Sequence, residues 1–185
     1  MPYTDDPGAN IQQLGRDVKF YRKGAEQFCA FAFDLESHKK LFPPTISREK
    51  EKCLKIGGKS GNGREVANWL ASFWTMSAPM HTERKVLEKF DTWFFRYQSV
   101  YGTPSNLYIY SFLIPCQRDG SNGHCSDAIN GMLTQYKEMG FNLALHVGWS
   151  NDDVDVDMAH ATKNAIADLE DDDIKVKIYR TSIAK

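Results

Sequence analysis

Four side chains raise the question of chemistry first: His81, Glu83, Cys116 and Cys125. Imidazole and thiolate are preferred zinc ligands, and a catalytic zinc site keeps three protein ligands with a fourth position open to water. One histidine and two cysteines make that set. Zinc brings the pKa of a bound water close to neutral, and a carboxylate beside it can pass protons to a substrate. Glu83, in the short run His81-Thr82-Glu83, is such a carboxylate. Taken singly, each residue has an ordinary reading, as a surface or helix-capping histidine or a buried structural cysteine. Their conjunction is what points to a metal centre. His124, adjacent to Cys125, competes with it as third ligand.

The elements that must position these residues follow from periodicity. Ile11, Leu14, Val18, Tyr21 and Ala25 recur at helical spacing. FCAFAFDL (28–35) reads as a dense apolar strand, and EKCLKIG (51–57) as its hairpin partner. After the glycine-rich loop 57–63, Val66, Leu70, Phe73 and Trp74 suggest a short helix. A longer helix is expected from Pro79, with a stripe of Val86, Leu87, Phe90, Phe94 and Tyr97. LYIYSFLI (107–114) is apolar on both faces, as a central strand would be. A helix over 125–139, a strand over 141–149, a helix around 155–169 and an alternating edge strand, IKVKIYR, complete the order. Cys116 then ends a strand while His81 and Cys125 open helices, and in open α/β sheets sites gather at such ends.

The order H-x-E, then Pro115-Cys116, then Cys125 resembles the zinc signature of the cytidine deaminase-like superfamily. The likeness is greatest to its AID/APOBEC-like and bacterial-toxin-like branches. The resemblance implies a three-layer α/β fold: a five-stranded mixed sheet with an N-terminal hairpin, parallel last strands and helices on both faces. It implies Zn2+ held by His81, Cys116 and Cys125, with Glu83 as general acid and base and Pro115 as the motif proline. Two departures stand out. Eight residues, QRDGSNGH, separate the cysteines where two are commoner, and Gly120 and Gly123 let such a loop double back. Leu113 stands where the AID/APOBEC-like branch carries an aromatic residue.

Composition bounds the rest. The 185 residues are 42% hydrophobic and 25% charged, which suits one soluble domain, here 11–185, preceded by a polar tail, 1–10, read as flexible rather than as a leader. No apolar run approaches the ~20 residues of a membrane helix, so no membrane partner and an intracellular location, cytoplasmic or nuclear, are expected. The net charge of −1 conceals an asymmetry. Residues 39–64 carry eight basic side chains against two acids, and residues 152–173 carry nine acids against one lysine. The basic stretch offers a face for a polyanion, or simply a solvated surface. Within it, Lys59 and Arg64 leave the glycine-rich loop and are candidates to touch phosphates. Trp149 ends a strand where, by the resemblance, polynucleotide deaminases contact a flanking base. His146, inside that strand, reads as a core histidine. Cys29 and Cys53 lie on expected neighbouring strands and read as buried thiols, with a disulfide needing an oxidising compartment.

The expected activity is zinc-dependent hydrolytic deamination of cytosine to uracil in single-stranded DNA or RNA. Deamination of free cytidine or its nucleotides is the alternative, and adenine stays open as the base. A zinc-stabilised binding module without turnover is the rival from another class, although it would have no use for Glu83 and would normally take four protein ligands. A cysteine hydrolase pairing Cys116 with His81 lacks an orienting third residue.

Overall fold

Helix α1 (Pro7–Lys19) begins where its local chemistry directs. The Asp6 carboxylate accepts the Gly8 N–H at 2.9 Å, and Pro7 occupies a first-turn position that needs no N–H donor. The computed structural model describes residues 3–19, 28–37, 65–67, 71–75, 82–111, 124–149 and 176–180. The stretch expected as a flexible tail instead starts this helix and buries Tyr3, whose hydroxyl donates to Asp17 at 2.7 Å. Asn10 closes the segment onto the helix, accepting the Thr4 N–H at 2.8 Å and donating to the Thr4 carbonyl at 2.7 Å.

The chain is mixed α/β. Strands β1 (Phe28–Phe33), β2 (Glu65–Ala67), β3 (Ala71–Thr75), β4 (Asn106–Ser111), β5 (Ala144–Trp149) and β6 (Val176–Arg180) form one sheet in the order β2-β3-β1-β4-β5-β6. β1 is antiparallel to both β3 and β4, and β2 is antiparallel to β3. β4, β5 and β6 run parallel. A parallel neighbour needs a crossover, and helix α4 (Cys125–Glu138) lies between β4 and β5 in the chain to supply it.

Four sequence expectations are corrected here. The described residues contain six strands rather than five. The hairpin partner of β1 is not 51–57, because both edges of β1 are taken, by β3 and by β4; residues 51–57 themselves lie outside the described residues. The stretch containing Val66, Phe73 and Trp74, expected as a helix, supplies β2 and β3. Its apolar spacing fits a helix by coincidence, while ASFWT carries aromatic residues and a threonine that pack well on a pleated surface. The long helix expected from Pro79 is also two helices, α2 (Thr82–Leu87) and α3 (Phe90–Tyr101). At their junction the Lys89 N–H reaches back only three residues, to the Val86 carbonyl at 3.1 Å, so the helical ladder breaks.

Strand alternation sorts the buried side chains onto two faces. Cys29, Phe31 and Phe33 share one face with Leu107, Ile109, Leu145 and Val147, and pack with Val86, Phe90, Phe94, Ile129 and Tyr136 from α2, α3 and α4. Phe33 stacks on Trp93 at a centroid distance of 4.0 Å. On the opposite face Gly148 sits beside Tyr110, and its lack of a side chain lets Ile11 of α1 come close over β4 and β5. The Asn10 amide donates to the Tyr108 hydroxyl across that contact at 3.4 Å.

At the N-terminal end of β4 the polar groups are matched in detail. Asp34, in the left-handed region at φ 39°, accepts the N–H groups of Ser105 and Asn106 at 2.9 and 2.8 Å. Glu36 accepts from the Asn106 amide at 2.6 Å and from the Tyr108 hydroxyl at 2.7 Å. With its Nδ2 given to Glu36, Asn106 faces His146 Nε2 with its oxygen at 3.0 Å, so that ring nitrogen carries the proton. His146 also stacks on Tyr108 and is a core residue. No helix among the described residues is long and apolar enough to cross a membrane.

Candidate active site

The C-terminal end of β4 meets the start of α2, which in turn packs against α4. Ser111 is the last residue of β4, and its register with Ile109 and Leu107 turns it toward the face covered by α2, α3 and α4. Glu83 lies in the first turn of α2 and is buried, at 6% exposure. The two meet: the Ser111 hydroxyl donates to Glu83 Oε1 at 2.6 Å. A contact this short lies in the range of a charge-assisted hydrogen bond from a hydroxyl to a carboxylate.

Cys29 completes this cluster. It stands directly across from Ser111 in the β1–β4 register, is fully buried, and carries a free thiol. Burial first, and then the charge of Glu83, pushes that thiol well above its ordinary pKa. Cys29 therefore stays a protonated thiol. Cys53, expected on a neighbouring strand as a second buried thiol, lies outside the described residues.

Cys125 is the first residue of α4 and is fully buried. Preceding it, His124 adopts the left-handed conformation at φ 57° and takes the N-cap position, its carbonyl accepting the Ala128 N–H at 3.0 Å. The Arg84 guanidinium donates to that same carbonyl at 3.4 Å. The residue after Glu83 is thus tied to the residue before Cys125, and α2 packs against α4. The His124 ring pairs through Nδ1 with Asp127 at 3.2 Å and is 38% exposed. Of the two candidate third ligands, Cys125 is the one turned inward.

The sequence-expected site residues divide as follows. Glu83 and Cys125 lie at the starts of two helices that touch. Trp149 ends β5 half-buried, in register with Ser111 and so at the same edge of the sheet. His81, Cys116, Lys59 and Arg64 lie outside the described residues. Among the described residues no group of three or more histidine, cysteine or acidic side chains is placed to hold a metal ion; two of the three expected ligands are not among them. Sequence reasoning missed Ser111, Cys29 and Arg84 as neighbours of the site. Ser111 did carry a signal, as the one polar residue in LYIYSFLI.

Chemically, the cluster holds one buried carboxylate against a neutral hydroxyl and a neutral thiol. No protein-family model matches the chain, and neither a curated protein nor a solved structure does.

Proposed function

We propose that this chain is a zinc-dependent hydrolytic deaminase that converts cytosine to uracil in single-stranded nucleic acid. The observation that carries the reading is the Ser111–Glu83 hydrogen bond. It ties the end of the strand leading to Cys116 to the helix start next to His81. The Arg84–His124 contact draws the start of the Cys125 helix to the same place. The donor set His81, Cys116 and Cys125 suits zinc, with soft thiolates and one imidazole and no fourth protein ligand assigned. The mixed sheet, with β1 antiparallel to its neighbours and β4, β5 and β6 parallel, supports the three-layer cytidine deaminase-like arrangement as the finer description of the fold.

The reaction consumes one water and releases ammonia as the ring C–NH2 becomes a carbonyl. Zinc, when bound, supplies an activated water at the ring carbon. Glu83 would take one proton of the attacking water to the ring nitrogen, then carry the second, released from the added oxygen as the carbonyl forms, to the departing amine as the C–N bond breaks. The burial of Glu83 keeps competing solvent from its carboxylate. Trp149, at the same sheet edge, offers a ring for a base beside the target, and Lys59 and Arg64 offer charge to phosphates.

The test is incubation of the protein with single-stranded DNA, duplex DNA, RNA and free cytidine, with uracil or uridine read out and zinc measured alongside. Uracil in single strands is expected, and Glu83→Ala is expected to fold and to keep zinc while losing turnover by a factor of about 10² or more. Turnover of the variant within tenfold of wild type would remove Glu83 from its role. Zinc without product on any substrate would favour a binding module.

A further inference from the structure

Resting on the deaminase reading, we infer that Ser111 is a positioning residue for Glu83, its hydroxyl fixing the direction in which that carboxylate presents its proton-carrying oxygen. The hydrogen-bond inventory supplies the argument. A serine hydroxyl has one proton and two lone pairs. The proton goes to Glu83 Oε1, at 2.6 Å. Cys29 stands opposite Ser111 in the β1–β4 register and is fully buried.

Rigidity follows from where the members sit. Cys29 and Ser111 are opposed residues on two adjacent strands, β1 and β4, in the middle of the sheet. Both are buried, at 0% and 1% exposure, so neither has water to turn toward instead. Glu83, in contrast, stands on a helix of six residues, which by itself holds a long side chain loosely. The sheet lends the helix its precision. A carboxylate that must serve first as base and then as acid has to keep one geometry through both steps, and a small misplacement of such a group costs rate strongly.

A purely structural role is the competing account, in which Ser111 only satisfies a buried carboxylate. The two differ in what they do to turnover once the folded, zinc-loaded enzyme is compared with itself. The experiment measures kcat and KM, per bound zinc, for wild type, Ser111→Ala, Ser111→Cys and Ser111→Thr on a cytosine-bearing single-stranded DNA oligonucleotide, and on cytidine if that is what wild type turns over. Alanine removes the donor, cysteine nearly keeps the volume with a weak donor, and threonine keeps the hydroxyl. Expected is a fall in kcat of about 10- to 100-fold for the alanine and cysteine variants, with KM within about twofold, and recovery to within about threefold for threonine. If the alanine variant fails to fold, the cysteine variant alone decides. A kcat within twofold of wild type in the foldable variants overturns the positioning role while leaving the deaminase standing, as does a loss that threonine fails to recover. A wild type that makes no product on either substrate overturns the deaminase reading, and the role of Ser111 with it.

Discussion

Adding a single methyl group to Gly148 tests how α1 is held on the sheet behind the site. A Cβ built there lies 2.2 Å from Ile11 Cγ2, 3.3 Å from Tyr110 Cδ2 and 3.6 Å from Ile11 Cβ. Carbon atoms rest at about 3.5–4.0 Å, so the nearest pair must separate by more than about 1 Å. Ile11 is fully buried, and Cγ2 is attached to the β-carbon itself, so it has no flexible end to swing away. A β-branched side chain in a helix is confined to one χ1 well, and leaving it costs about 0.5–1.5 kcal/mol before any backbone shift. With that shift included, overpacking of this kind costs about 2–3 kcal/mol, offset by about 0.4–1 kcal/mol from the stiffer unfolded chain. Gly148→Ala should therefore destabilise by about 2 kcal/mol, a fall in Tm of about 4–8 °C for a chain of this size. Urea unfolding should show a lower midpoint with an unchanged slope. Ile11→Ala alone should cost about 2–5 kcal/mol by leaving a cavity. In the double variant the new methyl enters that cavity, so the pair should be less destabilised than the sum by about 1–3 kcal/mol. Strict additivity, or a Gly148→Ala protein as stable as wild type, would refute the close approach of α1.

The other expectations concern the site and the far end of β4. About one zinc per chain is expected by metal analysis, lost in Cys125→Ala and retained in His124→Ala, because Cys125 is buried while the His124 ring pairs with Asp127; the reverse pattern would make His124 the ligand. The Lys59→Ala/Arg64→Ala pair should weaken oligonucleotide binding and reduce its salt slope by about 1.4, the figure for two phosphate contacts on a single strand, with free cytidine turnover unchanged. Trp149→Ala should raise the KM for an oligonucleotide by roughly 5- to 100-fold through lost stacking, again sparing cytidine; equal effects on both substrates would count against a polynucleotide. Asp34→Ala should cost about 2–3 kcal/mol in chemical unfolding, since two N–H groups lose their acceptor and alanine tolerates φ 39° poorly, whereas Asp34→Asn should cost under about 1 kcal/mol. Burial, the largest influence on Asp34, pushes its carboxyl above the ordinary carboxylate range. The folded state thus binds that proton more tightly than the unfolded chain does. The stability of wild type relative to Asp34→Asn should then fall as pH rises from the ordinary carboxylate range through the raised value.

Long, strongly patterned segments were legible from the amino-acid sequence by itself. β1, β4, β5 and α4 have apolar runs or stripes that only one type of element buries well, and they lie where the patterning put them. Glu83 and Cys125 were singled out by residue type and chain order, and the structure brings their helices into contact. Short segments were decided elsewhere. Val66, Phe73 and Trp74 have helix-like spacing, yet the open edge of β1 takes 71–75 as a strand, because cross-strand pairing outweighs a weak local preference over five residues. The break between α2 and α3 likewise depends on backbone bonding at Val86 and Lys89 that no pattern announced. Ser111 and Glu83 stand 28 positions apart, and Cys29 is farther from both. Nothing local couples such residues. Only the sheet register, which sets Cys29 opposite Ser111 and turns both toward α2, makes them one buried cluster, because hydrogen bonds between distant residues exist only after the core has placed their partners.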